Sequence, residues 1–179
     1  MARITLITGG VRSGKSRFAE ELTMGYGSSL CYLATAQALD DEMDERIERH
    51  RSRRGSNWET IEEPLMIPQT LARIDGLHNA ILLDCITLWV TNLLLSHDEN
   101  DFGVEEQVLS HIHRLAATLR SMSTPVVLVS NEVGMGIVPE HQLARLFRDL
   151  SGQANQIIAA VADTVYLTVS GIPLKLKQS

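Results

Sequence analysis

Two stretches of this chain hold most of its side chains capable of chemistry. The first, "GGVRSGKS" at 9–16, fits the pattern glycine, four residues, glycine, lysine, then serine or threonine. Glycines let the backbone curl so that successive N–H groups point inward, where phosphate oxygens can sit. Lys15 then reaches the β- and γ-phosphates, and the Ser16 hydroxyl binds Mg2+. Such a loop wants an acidic partner at the end of a neighbouring strand. The apolar run "AILLDC" supplies Asp84, a carboxylate able to hold that Mg2+ directly or through water. Asp84 also precedes an apolar helical stretch, so it doubles as a candidate helix N-cap.

The second stretch is "RIERHRSRRGSNW" at 46–58, which gathers five of thirteen arginines within nine positions around His50. Segment 40–54 begins with acidic residues and ends in arginines, the charge order that suits a solvated helix. Leu39, Met43, Ile47 and His50 are four, four and three residues apart and share one face of that helix. His50 is therefore aimed at the body of the protein. A hydrogen-bonded core histidine is the plain reading. The neighbouring cations, however, disfavour imidazolium and keep His50 neutral and nucleophilic. Guanidinium groups also bind phosphate oxygens bidentately and stabilise charge developing during phosphoryl or nucleotidyl transfer. Neutral imidazole among phosphate clamps suits a covalent phosphoramidate intermediate.

The elements that must position these groups are legible as apolar runs. Strands are predicted at 4–8, 30–34, 80–84, 126–130 and 164–169. Helical patterns follow at 14–24, 40–54, 86–97, 103–122 and roughly 139–161. Strands alternating with helices predict a mainly parallel sheet covered on both faces, in one domain spanning 1–179. The end, "VSGIPLKLK", reads as a tight turn into a short strand antiparallel to its predecessor. The expected class is α/β, P-loop NTPase-like and RecA-like. Net charge −6 argues against nucleic acid and against a polybasic membrane patch. The run "AILLDCITLWVTNLLL" is broken by Asp84, Thr87, Thr91 and Asn92, so no membrane span is expected. Two cysteines, Cys31 and Cys85, lie in apolar runs and read as buried inert thiols of a cytoplasmic protein.

Five strings, "TGGVRSGKSRFAEEL", "YLATAQALDDEMDERIERH", "LLDCITLWVTNLL", "SNEVGMGIVPEHQLARLFRDLSGQANQ" and "VSGIPLKLK", occur in this order over nearly the whole chain. Together they resemble the bifunctional adenosylcobinamide kinase/adenosylcobinamide-phosphate guanylyltransferase family of cobalamin biosynthesis. The resemblance implies two reactions. A nucleoside triphosphate, ATP or GTP, phosphorylates the aminopropanol hydroxyl of adenosylcobinamide. GTP also guanylylates a histidine, here His50, and GMP then passes to adenosylcobinamide phosphate, giving adenosylcobinamide-GDP. By the same resemblance Gly9, Gly10, Val11, Arg12, Ser13, Gly14, Lys15 and Ser16 line the triphosphate. Ala34, Thr35 and Ala36, then Arg51, Ser52, Arg53 and Arg54, and further Glu62 and Asp84, fall at nucleotide contacts. The family has proline where this chain has Gly55, and glutamate where it has Asp84. A homotrimer and a corrinoid partner are implied as well.

From the residues alone two rivals stay open: a single-function P-loop small-molecule kinase, and a non-catalytic nucleotide-binding regulatory protein. His111 and His113, two apart on a predicted helix, read as surface residues, and His78, His97 and His141 fall near expected loops or helix ends. Trp58 and Trp89 read as packing residues. In "NEVGMGIVPE" the glycines and the X-Pro bond predict an irregular loop after the fourth strand, with Glu132 either near substrate or structural.

Overall fold

Runs such as "AILLD" and "VVLVS" place an apolar side chain at nearly every position, which suits strands buried on both faces. The computed structural model describes residues 3–36, 55, 57–97 and 103–178. Its elements are β1 (Ile4–Gly9), α1 (Lys15–Met24), β2 (Leu30–Ala34), β3 (Trp58–Glu62), α2 (Ile67–Ile74), β4 (Ala80–Asp84), α3 (Ile86–Leu95), α4 (Val104–Ser121), β5 (Val126–Asn131), α5 (Gln142–Val161), β6 (Thr164–Val169) and β7 (Ile172–Gln178). They form one seven-stranded sheet in the order β3-β2-β4-β5-β1-β6-β7. Strands β1 to β6 pair in parallel. Strand β7 runs antiparallel to β6, joined by a turn whose Ser170 and Gly171 have φ 52 and 80. Left-handed conformations at both positions match the twist of a two-residue hairpin.

Strand side chains sort by parity onto two faces. Leu6, Leu33, Leu83 and Leu128 join Ile67, Trp89, Ile112 and Leu150 in a large core against α2, α3, α4 and α5. Ile7, Leu82 and Val129 join Ala19 of α1 on the other face, edged by Phe18 and Tyr166. Each fully buried leucine or isoleucine contributes about 1.5–3 kcal/mol. The mainly parallel sheet, its cover on both faces and the antiparallel last strand agree with the expected class.

Strand β3 and helix α2 were not expected. Strand β3 lies at the sheet edge and is half-exposed, so "WETIE" carries no apolar run. Helix α2 has only eight residues, with Ile67, Leu71 and Ile74 making its buried stripe. The helix expected over 40–54 lies outside the described residues.

Candidate active site

Strand β1 delivers the chain to Gly9, where it must reverse over the carboxyl edge of the sheet. A Cβ at Gly9 would stand 2.6 Å from the Thr168 carbonyl oxygen on β6 and 2.6 Å from Ser13 Oγ. Beyond it, Arg12 and Gly14 adopt φ 56 and 92, and the Ser13 N–H donates to the Gly10 carbonyl at 3.3 Å. Such turns build an anion nest against the N-terminus of α1. Lys15 is buried, and its Nζ donates to the Gly10 carbonyl at 3.1 Å. Ser16 is half-buried beside it on the first turn.

The hairpin tip braces this loop. The Gly171 N–H donates to the Ser13 carbonyl at 2.8 Å, and a Cβ on Gly14 would meet Gly171 Cα at 3.0 Å. The hydroxyls of Ser13 and Thr168 are buried without a hydrogen-bond partner. The turn in "VSGIP" is visible in sequence, but its return to the phosphate loop is not.

Asp84 was expected at the end of a strand neighbouring β1, but β5 lies between β4 and β1. Helix α1 reconciles the two, since it packs across β1, β5 and β4 and carries Lys15 and Ser16 at its start. Asp84 shares the α1 face with Ala34, its register partner. One of its oxygens, Oδ2, accepts a hydrogen bond from Tyr32 Oη at 3.1 Å.

Ala34 is in register with Glu62 on one side and Asp84 on the other. These three expected contacts therefore form one row across β3, β2 and β4. Thr35 locks the end of that row. Its hydroxyl accepts the Cys85 N–H and donates to the Cys85 carbonyl, each at 2.9 Å, while its own N–H donates to the Asp84 carbonyl at 3.1 Å. Asn92 of α3, read in the sequence only as a break in an apolar run, donates to the Thr35 carbonyl at 2.8 Å and to the Pro64 carbonyl at 3.1 Å. The Thr35 side chain is thus engaged within the protein, and half-buried Ala36 follows it. From β3 to β1 is four inter-strand spacings, roughly 19 Å. His50, Arg51, Ser52, Arg53 and Arg54 lie outside the described residues.

Of the two thiols expected to be buried, Cys31 is buried and Cys85 is half-buried. Burial, with Glu59 adding to it, pushes Cys31 up to about 12. Burial and then Asp84 push Cys85 up to about 12, against a smaller downward pull that includes Lys15. His111 departs from the expected surface position. It is half-buried, its Nδ1 lacks a partner, and burial, then Arg114 and His97, lower its pKa. His113 is exposed, and His78 Nε2 approaches Glu59 at 3.5 Å. A cavity of about 240 Å³ lined by Met24, Leu30 and Trp58 sits at the amino ends of β2 and β3, away from the phosphate loop. Trp58 packs there edge-on to Tyr32, ring centroids 6.5 Å apart.

Among the described residues no group of three or more His, Cys, Asp or Glu side chains could hold a metal. A Ser16 hydroxyl and an Asp84 carboxylate on the face of α1 are hard oxygen donors, and they fit an octahedral ion that keeps several waters and shares phosphate oxygens. No described helix is long and apolar enough to cross a membrane.

A glycine nest at a helix N-terminus, with lysine, hydroxyl and carboxylate on the carboxyl edge of a mainly parallel sheet, defines a P-loop nucleotide-binding α/β protein. The cobinamide kinase / cobinamide phosphate guanyltransferase family matches residues 5–176. The bifunctional adenosylcobalamin biosynthesis proteins CobU of Escherichia coli (strain K12) and of Salmonella typhimurium are each 47% identical, over 96% of this chain and 98% of theirs. CobP of Pseudomonas aeruginosa, with the same description, is 44% identical over 96% of each chain. Among solved structures, the RadB recombinase covers 92% of this chain and 73% of its own, with TM-score 0.49 and 14% identity. This chain belongs to the cobinamide kinase / cobinamide phosphate guanyltransferase family, and it is an enzyme of cobalamin biosynthesis.

Proposed function

We propose that one nucleoside triphosphate lies along the carboxyl edge, its phosphates in the 9–16 loop and its nucleoside toward Ala34, Thr35, Ala36 and Glu62. The alignment of the loop with the Glu62–Ala34–Asp84 row carries this reading, because roughly 19 Å of strand edge matches an extended nucleotide. In the kinase reaction, ATP or GTP phosphorylates the aminopropanol hydroxyl of adenosylcobinamide. Lys15 and the loop N–H groups hold charge on the transferring phosphoryl group. Ser16 and Asp84 would hold Mg2+, which supplies charge neutralisation between the phosphates.

In the second reaction a lone pair of neutral His50 attacks the α-phosphorus of GTP. A P–N bond forms as the bond to the bridging oxygen breaks, and pyrophosphate leaves. Arg51, Arg53 and Arg54 clamp phosphate oxygens, with Ser52 and Glu62 completing the nucleotide contacts. A phosphate oxygen of adenosylcobinamide phosphate then attacks the same phosphorus and breaks the P–N bond. His50 is restored and adenosylcobinamide-GDP is released. The single domain works in the cytoplasm as a homotrimer, whose mass light scattering reads directly. Net charge −6 supports a small-molecule partner over nucleic acid.

Incubation with Mg2+ and α-32P-GTP, followed by denaturation, tests the covalent step. The expected label is acid-labile and alkali-stable, and it is absent from His50→Ala while kinase activity persists. Equal loss of both activities in that variant would sink the assignment of His50.

A further inference from the structure

Residues 132–143, which join β5 to the start of α5, expose an unusual run of apolar side chains. Met135 is 82% exposed, Ile137 97%, Val138 58% and Leu143 50%. The segment is tied at both ends. At its entry the Glu132 N–H donates to the Gly9 carbonyl at 3.0 Å, and Glu132 Oε1 accepts the Gly134 N–H at 2.9 Å. At its exit Arg145 Nη1 donates to the carbonyls of Pro139 and Glu140. The segment is thus a ledge tied to the phosphate loop at its first residue, and its apolar side chains face solvent. Contiguous exposed apolar surface of this kind marks a binding site.

Two other segments border the loop, and of these β6 and β7 also expose Val169, Ile172, Leu174 and Leu176. The β6–β7 tip braces the loop through Gly171 and Ser13, and the Glu62–Ala34–Asp84 row is given to the nucleotide. We propose that the 132–143 ledge is the acceptor subsite, seating an apolar face of the corrin macrocycle so that its aminopropanol arm reaches the terminal phosphate at Lys15. A corrin macrocycle presents methyl and ring surface between its amide arms, and exposed apolar side chains on a segment tied to Gly9 can cover part of that surface. This assignment rests on the kinase reading above.

The test is steady-state kinase kinetics on the full chain, with adenosylcobinamide varied at saturating ATP and then ATP varied at saturating adenosylcobinamide, comparing wild type with Ile137→Ser and with Met135→Ser/Ile137→Ser. Both positions are exposed, so the fold is not at stake. The expected result is a rise of about tenfold in the corrinoid KM of the single variant, more in the double, with the ATP KM unmoved. Unaltered corrinoid KM in both variants, with an active wild type, overturns the subsite alone. A wild type that phosphorylates no corrinoid removes the kinase reading and the subsite with it. Variants whose light-scattering mass falls, and whose corrinoid KM recovers at high protein concentration, would assign the ledge to contact with a second copy and overturn the proposal.

Discussion

Lys15 is the one charged side chain among the buried residues described. Removing an ammonium group from water is costly unless hydrogen bonds compensate, and the Gly10 carbonyl supplies one at 3.1 Å. Such a group is retained for what it binds. Lys15→Met keeps the apolar stem in place and deletes the charge. Kinase turnover should fall by about 10²- to 10³-fold, as for loss of one preorganised electrostatic donor, with a melting temperature near wild type. Loss of tenfold or less in a steady-state assay would move the phosphate site away from this loop. The same scale separates Thr35 from its neighbours. Its hydroxyl is bound to Cys85 on both sides, so it acts by fixing where Asp84 and Ala36 stand.

Elements explain which parts of this site could be read in advance. Strands β2, β4 and β6 fall at the expected residues, and β1 and β5 end one residue later, because runs such as "LCYLA" and "AILLD" have few other stable solutions. Strand β3 escaped because an edge strand need not be apolar throughout: "WETIE" has Trp58 and Ile61 as its large apolar side chains, on opposite faces, and none of its five residues is fully buried. Candidate residues at the ends of strands were legible as a set. Their order across the sheet was not, because nothing local tells β5 to insert between β1 and β4. The hairpin brace was equally hidden, since Ser13 and Gly171 meet across most of the chain. Gly9 records that packing. Its absent Cβ leaves room for the Thr168 carbonyl and Ser13 Oγ, each 2.6 Å from where it would stand, whereas a Cβ on Gly10 would meet nothing within 4 Å. Gly9→Ala should therefore cost about 1–3 kcal/mol through forced shifts of β1 against β6. Gly10→Ala should leave the denaturant midpoint close to wild type. Equal midpoints for the two would show that the β1–β6 contact yields without cost.

At the scale of the whole molecule, two thiols couple stability to pH. Cys31 and Cys85 are pushed up to about 12 from an ordinary 9.0. The unfolded chain therefore loses both protons near pH 9, while the folded chain keeps them until near pH 12. Between those values the folded state binds more protons, and stability falls as pH rises; below pH 9 the contribution is fully present. Cys31 is the cleaner probe, because it is fully buried in the large core and apart from the phosphate loop. Urea midpoints should be lower at pH 10 than at pH 8. The decline should be shallower in Cys31→Ala, even though the smaller side chain lowers its midpoint at both values. Identical declines in the variant and the wild type would mean that the Cys31 thiol ionises alike in both states, and that its burial by β2 and β4 is not maintained in alkaline solution.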